Sequence, residues 1–199
     1  MDSSWRIEGS HGPAARLGYI RDTDYGNGET RVATPILQTE RLVFHPFGPD
    51  DLPLLADLHS HAEVQRHLGG PWSEETIRAR LAHFVSEQAE LGFSKWRMHL
   101  KDGTFIGRAG VSRWAFGGGY ELGYSLKPAF WGAGFATEAA RGVAAWIWRN
   151  TAIDTLHGFT SLENHLSRRV LERVGMTFVG ERDVGMGDLS ALYRLDRPN

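Results

Sequence analysis

The sequence predicts an α+β fold, a mixed and mostly antiparallel twisted sheet of about seven strands with about four helices. Three observations point there. Short segments that alternate apolar and polar residues are joined by tight turns, as "KWRMHL" and "TFIGRAGVSRWAF" are through Asp102-Gly103, which is how antiparallel neighbours connect. Segments with helical spacing are interleaved with these strands in the order βααβββαβαββ, without an internal repeat. At 199 residues and 41% hydrophobic composition, the chain has the apolar material for one domain with a real core.

Residues 1–35 read as an N-terminal arm or flexible leader, with glycines at 9, 12, 18, 26 and 28 and apolar residues without a period. Trp5, Leu17, Tyr19 and Ile20 are its candidates for docking on the body or on a second subunit, which leaves a homodimer open. The domain proper is assigned to 36–199. "RLVFHPF" alternates as a strand, and Asp50 offers a cap to a helix carrying Leu54, Leu55 and Leu58. A second helix starts at Ser73, with Trp72 and Ile77 placed as a hydrophobic staple and with Glu74 and Glu75 in its first turn. Ile77, Leu81, Phe84 and Val85 give it an apolar stripe. After the hairpin at Asp102-Gly103, "YELGYSL" sends Tyr120, Leu122, Tyr124 and Leu126 to one face and Glu121, Gly123 and Ser125 to the other. Then follow a helix with Ala136, Ala139, Ala140, Val143 and Ile147 on one side and a strand over 156–160. The last helix is capped by Asn164 and closed by Gly175. Two strands, "TFVGERDV" and "SALYRL", flank "GMGD" at the end.

Composition excludes several classes of function. A formal charge of −2 with no long Lys/Arg run argues against nucleic-acid binding; Arg168 and Arg169 are only a pair. The absence of cysteine removes disulfides, a thiolate nucleophile and cysteine zinc sites. His59, His61 and His67 lack the i, i+4 spacing of a helical metal pair, so no metal is expected. No apolar run approaches the roughly 18 residues of a membrane span, and the N-terminus lacks the order of a signal peptide. A cytoplasmic protein without a membrane partner is the expectation.

The most informative stretch is "PAFWGAGFATEA", Pro128 to Ala139, which sets two glycines just before a helix. Glycine lets main-chain N–H groups approach a ligand closely, and the first N–H groups of a helix have no partner within it. With the helix dipole they favour a phosphate. A dinucleotide-binding reading requires G-x-G-x-x-G early in a βαβ unit and an acid about 20 residues on. Thr137 stands at the third small position and Asp154 at a suitable distance, but Asp154 comes at the start of its strand and the loop follows antiparallel hairpins.

"WGAGFA" resembles instead the Q/R-x-x-G-x-G/A signature of the GNAT superfamily of N-acetyltransferases, with Trp131 in the Gln/Arg position. The resemblance spans residue 36 to the C-terminus. It is closest to the RimJ/RimL-like branch of ribosomal-protein N-terminal acetyltransferases, to which "ILQTERLVFHPF", "ELGYSLKPAFWGAGFATEA" and "NHLSRRVLERVGM" are all similar, in the same order. It implies the GNAT fold and acetyl-coenzyme A as cosubstrate. The pyrophosphate would meet the segment Trp131, Gly132, Ala133, Gly134, Phe135, Ala136 and Thr137, chiefly through N–H groups of Gly132 to Ala136. The pantetheine arm would run beside Tyr124, Ser125 and Leu126 as an added strand does, with Asn164 as a further contact.

Acetyl transfer to an amine needs a neutral nitrogen, a donor for the carbonyl oxygen and a proton for the leaving thiolate. Glu121, ten residues before Trp131, is the candidate base, because the resemblance implies a catalytic Glu near this place in some members of the superfamily; a structural carboxylate is the equal alternative. Gly123 is a candidate bulge that exposes an N–H to the thioester, and Leu126 another donor. Ser167 opens the stripe Ser167, Val170, Leu171, Val174; the resemblance implies that it is the general acid or a contact of the thiol, and the alternative is a polar residue that satisfies the first helical turn. The tyrosine that many superfamily members carry four residues later is here Leu171. Asn164 caps its helix, Glu138 supports the first turn after the glycine loop, and Tyr124, Trp96 and Trp114 belong either to the core or to an acceptor cleft. The expected function is acetyl-coenzyme A-dependent N-acetylation of a primary amine through a ternary complex; the alternative is a non-catalytic coenzyme A-binding module.

Overall fold

A computed structural model describes residues 34–114, 117–184 and 188–198. Most of the arm, with Trp5, Leu17, Tyr19 and Ile20, lies outside them. Eight strands form one sheet: β1 (Leu37–Gln38), β2 (Leu42–Pro46), β3 (Lys95–Leu100), β4 (Phe105–Arg113), β5 (Tyr120–Leu126), β6 (Thr155–Ser161), β7 (Thr177–Asp183) and β8 (Leu189–Asp196). Their order is β1-β2-β3-β4-β5-β6-β8-β7. The α-helices are α1 (Leu52–Ser60), α2 (Ala62–Gln65), α3 (Glu74–Leu91), α4 (Phe135–Asn150) and α5 (His165–Val174).

The additions to the predicted order are β1 and α2. At two and four residues they are too short to carry a period. The predicted cap Asp50 is also corrected, because Pro49–Asp51 forms a 3₁₀ turn before α1. It is Asp51 whose carboxylate accepts the Gly48 N–H at 2.7 Å and an Arg97 guanidinium N–H at 2.6 Å. The other caps are as read. Ser73 Oγ accepts the Thr76 N–H at 3.2 Å, Trp72 and Ile77 share one apolar cluster, and Asn164 Oδ1 accepts the Ser167 N–H at 3.1 Å.

The two faces of the sheet differ in chemistry. On one, Phe44, Trp96, Met98, Val111, Leu122 and Leu126 pack with Ala139, Ala140, Val143 and Ile147 of α4 to form the main core. On the other, successive register partners set His45, Arg97, Arg108 and Ser125 in one row and Lys95, Gly110 and Gly123 in the next. This second face is covered by the α1–α3 layer. A sheet face this polar under helices is unusual material for a core, and it lies beside the site.

From β1 to β5 all pairing is antiparallel, as it is among β6, β8 and β7. The two halves meet at a single parallel bridge, Glu121 with His157. Beyond that bridge β5 and β6 part, and the chain leaves β5 for α4 just where the gap opens.

Candidate active site

The gap is the wall of a cleft of about 390 Å³. Tyr124, Ser125 and Leu126 line it from β5, Phe159 and Thr160 from β6, and Asn164, Ser167, Arg169 and Arg173 from α5 and its cap. Trp131, Gly132, Gly134, Phe135, Ala136 and Thr137 line its mouth, and Glu63, Val64, His67 and Leu68 close the far side. The predicted ligand-contacting residues therefore come together around one cavity, with Ala133 set apart from its lining.

At the mouth, Gly132 and Gly134 have φ of +76° and +82°, which an L side chain rarely adopts. Gly134 is the N-cap of α4 and supplies no side-chain cap, whereas α3 and α5 are capped by Ser73 and Asn164. The first N–H groups of α4 are thus left for something else. The loop is held from behind by a residue the sequence reading did not single out. Arg41 donates from Nη1 to the Ala133 carbonyl at 2.9 Å and from Nε to Glu138 Oε2 at 2.6 Å, and its guanidinium lies 4.3 Å from the Phe135 ring centroid. Glu138 Oε1 accepts the Thr39 hydroxyl at 2.6 Å and the Arg41 N–H at 2.8 Å. This ties the β1–β2 turn to the first turn of α4.

Burial alone would raise the Glu138 carboxyl, but the hydrogen bonds from Thr39 and Arg41 win and hold it below its ordinary value of 4.5. A depressed carboxyl stabilises the fold fully above that value, and the contribution is lost as pH falls through the folded one. Glu138→Gln is therefore expected to lower stability by about 2 kcal/mol at neutral pH. The gap from wild type should close below pH 4.5 in urea titrations repeated across pH.

Deeper in the cleft, the Tyr124 hydroxyl lies 2.9 Å from Ser167 Oγ and donates to the Ser167 carbonyl at 3.2 Å. Burial pushes the Tyr124 phenol well above its usual range, against the hydrogen bond with Ser167, so it stays protonated. The phenol beside Ser167 thus comes from β5. Leu171 itself is core, packed with Met176, Ala191 and Tyr193.

Glu121 is placed differently. It does not line the cleft but lies on the polar face of β5, where Oε2 accepts from Lys95 Nζ at 2.6 Å. Lys95 is 5% exposed, and its other protons go to the carbonyls of Gly110 and Glu121, both at 3.1 Å. Gly123 is not a bulge: β4 and β5 stay in register along their length. A Cβ there would sit 2.3 Å from Glu121 Oε1 and 2.9 Å from Lys95 Nζ, so the glycine makes room for the ion pair. Trp96 is core, edge-on to Trp146, and donates to Gln88 at 2.8 Å. Trp114 is buried beside His157 and Phe159. Among the described residues no cluster of His, Cys, Asp and Glu could hold a metal, and no helix is long and apolar enough to cross a membrane.

Comparison with known proteins agrees with this geometry. The family described as "Acetyltransferase (GNAT) domain" matches residues 41–177. An FsC-acetyl coenzyme A-N(2)-transacetylase of Aspergillus fumigatus is 28% identical over 158 residues, 74% of this chain and 67% of that one. A crystal structure of an acetyltransferase from Agrobacterium tumefaciens str. C58 superposes with a TM-score of 0.73 at 26% identity, over 86% of this chain and all of that one. The ribosomal-protein acetyltransferase RimL in complex with coenzyme A superposes at 0.67 with 18% identity, over 82% of this chain and 98% of that one, a likeness of fold. The chain belongs to the GNAT acetyltransferase family.

Proposed function

From that membership we propose that the protein binds acetyl-coenzyme A in the cleft and transfers the acetyl group to a primary amine by direct attack in a ternary complex. One observation carries the reading: an uncapped helix start behind two positive-φ glycines opens onto the gap between β5 and β6. The donor set suits a pyrophosphate, and Arg169 and Arg173 add positive charge along the cleft. The β5 edge freed by the parting strands suits an extended arm with amide groups.

Acetyl-coenzyme A supplies the activated thioester; the chain supplies position and protons. Were Tyr124 to turn its one proton from the Ser167 carbonyl to Ser167 Oγ, 2.9 Å away, the serine proton would be free to face the leaving sulfur. Glu121 would act from the opposite face of β5, with Lys95 holding its carboxylate. That pairing also favours the second reading, a coenzyme A-binding module in which Glu121 is structural. The branch resemblance keeps peptide N-termini among the acceptors to test, and we place the protein in the cytoplasm.

Glu121→Gln separates the two readings. Under the catalytic one it lowers kcat with little change in acetyl-coenzyme A affinity, and the loss shrinks as pH rises and free amine becomes abundant. It should also cost about 3 kcal/mol of stability, since Lys95 is left buried without its counter-charge. A kcat–pH series on a variant shown to be folded is the measurement; an unchanged kcat at every pH makes Glu121 structural. Direct transfer further predicts that intact-protein mass spectrometry after mixing with acetyl-coenzyme A alone finds no acetyl group on a side chain required for activity. Such an adduct together with parallel-line initial-rate plots would indicate a covalent route instead.

A further inference from the structure

We propose that the acceptor amine carries a carboxylate, and that Arg108 on β4 binds it. The inference rests on the transfer reading above and names the class of its second substrate. Arg108 is 7% exposed, and its Nε is buried without a partner. Among the described residues its guanidinium has no hydrogen bond or ion pair; its neighbours are the rings of Phe84 and Trp72, with centroids at 5.5 and 5.9 Å. A buried cation with ring faces as its contacts and the Glu121 carboxylate only at a distance is costly unless an anion joins it.

Two more unsatisfied groups stand beside it. His59, 4% exposed, stacks on Trp72 at 3.9 Å with neither ring nitrogen bonded. Gln65 donates to the His59 carbonyl at 2.9 Å, and its Oε1, near the His59 ring, makes no hydrogen bond of good geometry. Burial pushes His59 down to about 3, with Arg108 and Arg80 adding to the shift and the neighbouring Gln65 side chain opposing it, so the imidazole stays neutral. Burial also pushes Arg108 down to about 10, with Glu121 opposing the shift and Arg80 adding to it, so it keeps its charge at neutral pH.

The position of this cluster gives it a use. Arg108 is the register partner of Ser125, which lines the cleft, so it sits across the β4–β5 pair from the course of the cosubstrate arm. On the same sheet face, the Glu121 carboxylate lies over Gly123 with Oε2 held by Lys95 and Oε1 without a hydrogen bond among the described residues. The cation of Arg108 and the carboxylate of Glu121 on one sheet face complement a molecule that carries both an ammonium and a carboxylate. A free amino acid or a close analogue has that form. A polyamine, or a peptide N-terminus followed by uncharged residues, would leave Arg108 unpaired.

The test uses free amino acids, each matched with its carboxamide, titrated calorimetrically into the coenzyme A-loaded protein and then assayed with acetyl-coenzyme A. Wild type should bind at least one acid more tightly than its amide by about fiftyfold, the worth of a bidentate charge-assisted contact. In Arg108→Met that ratio should fall to near unity, while Arg108→Lys, which keeps the charge without the fork, should retain part of it. Equal binding of every acid and its amide by wild type overturns the proposal, as does an undiminished ratio in either folded variant. Acid-selective binding without thiol release by any acceptor would keep this site and reject the transfer. Thiol release with acids and amides used equally would do the reverse.

Discussion

Gly134→Asp is expected to weaken acetyl-coenzyme A binding by at least about a hundredfold, or about 2.7 kcal/mol. Two independent effects add. Gly134 has φ +82°, which is strained for aspartate, and its Cβ would stand 3.5 Å from Arg41 Nη2, at the point where the helix start meets the cleft. The carboxylate would put negative charge at the uncapped end of α4 and repel the phosphates. Gly134 is exposed, so the strain costs only a little stability and the variant should fold while its calorimetric titration goes flat. Gly134→Ala, with the strain but not the charge, should lose less. Unchanged affinity in the aspartate variant would remove the phosphate cradle from this loop.

The second large effect is expected deeper in the cleft. Ser167→Ala should lower kcat by about a hundredfold, the usual scale for loss of a general acid, and raising pH should not restore it. The thiolate still needs its proton however much free amine is present, which distinguishes Ser167 from Glu121. Tyr124→Phe should lower kcat in the same sense, because Tyr124 Oη lies 2.9 Å from Ser167 Oγ. Its ring would remain packed against the two core clusters it joins, so the stability change should be about 1 kcal/mol. If either variant keeps the wild-type rate across pH while folded, the pair is a structural hydrogen bond and the acid lies elsewhere.

What the sequence made legible was local. The glycine pair before α4, the serine cap of α3 and the Asn164 cap of α5 each involve residues within one helical turn, so type and spacing suffice to read them. The alternation in "YELGYSL" likewise sent Leu122 and Leu126 to the core and Glu121 to the other face. What escaped depends on residues far apart in the chain. Arg41 meets Glu138 across 97 residues, and Lys95 meets Glu121 across 26. No period or motif announces either pair. The same distance explains the reading of Gly123 as a bulge: the reason for a glycine there is Lys95, which only the sheet brings alongside. Tyr124 was legible as a cleft residue but not as the partner of Ser167, since β5 and α5 come together only once α4 and β6 are in place. The four-residue α2, which supplies a wall of the cleft, was too short to see.

The most direct test of the account is whether acetyl-coenzyme A is consumed in step with an acetylated amine. Purified protein would be incubated with acetyl-coenzyme A and a panel of amino acids, their amides, polyamines and peptides with different first residues. Released thiol and N-acetyl product would be quantified in the same samples. The account predicts that at least one acceptor gives the two in equal amounts, and that Gly134→Asp abolishes both. One-to-one binding of acetyl-coenzyme A by calorimetry, with no thiol released above the protein-free control for any acceptor, would contradict it and make the protein a coenzyme A-binding module.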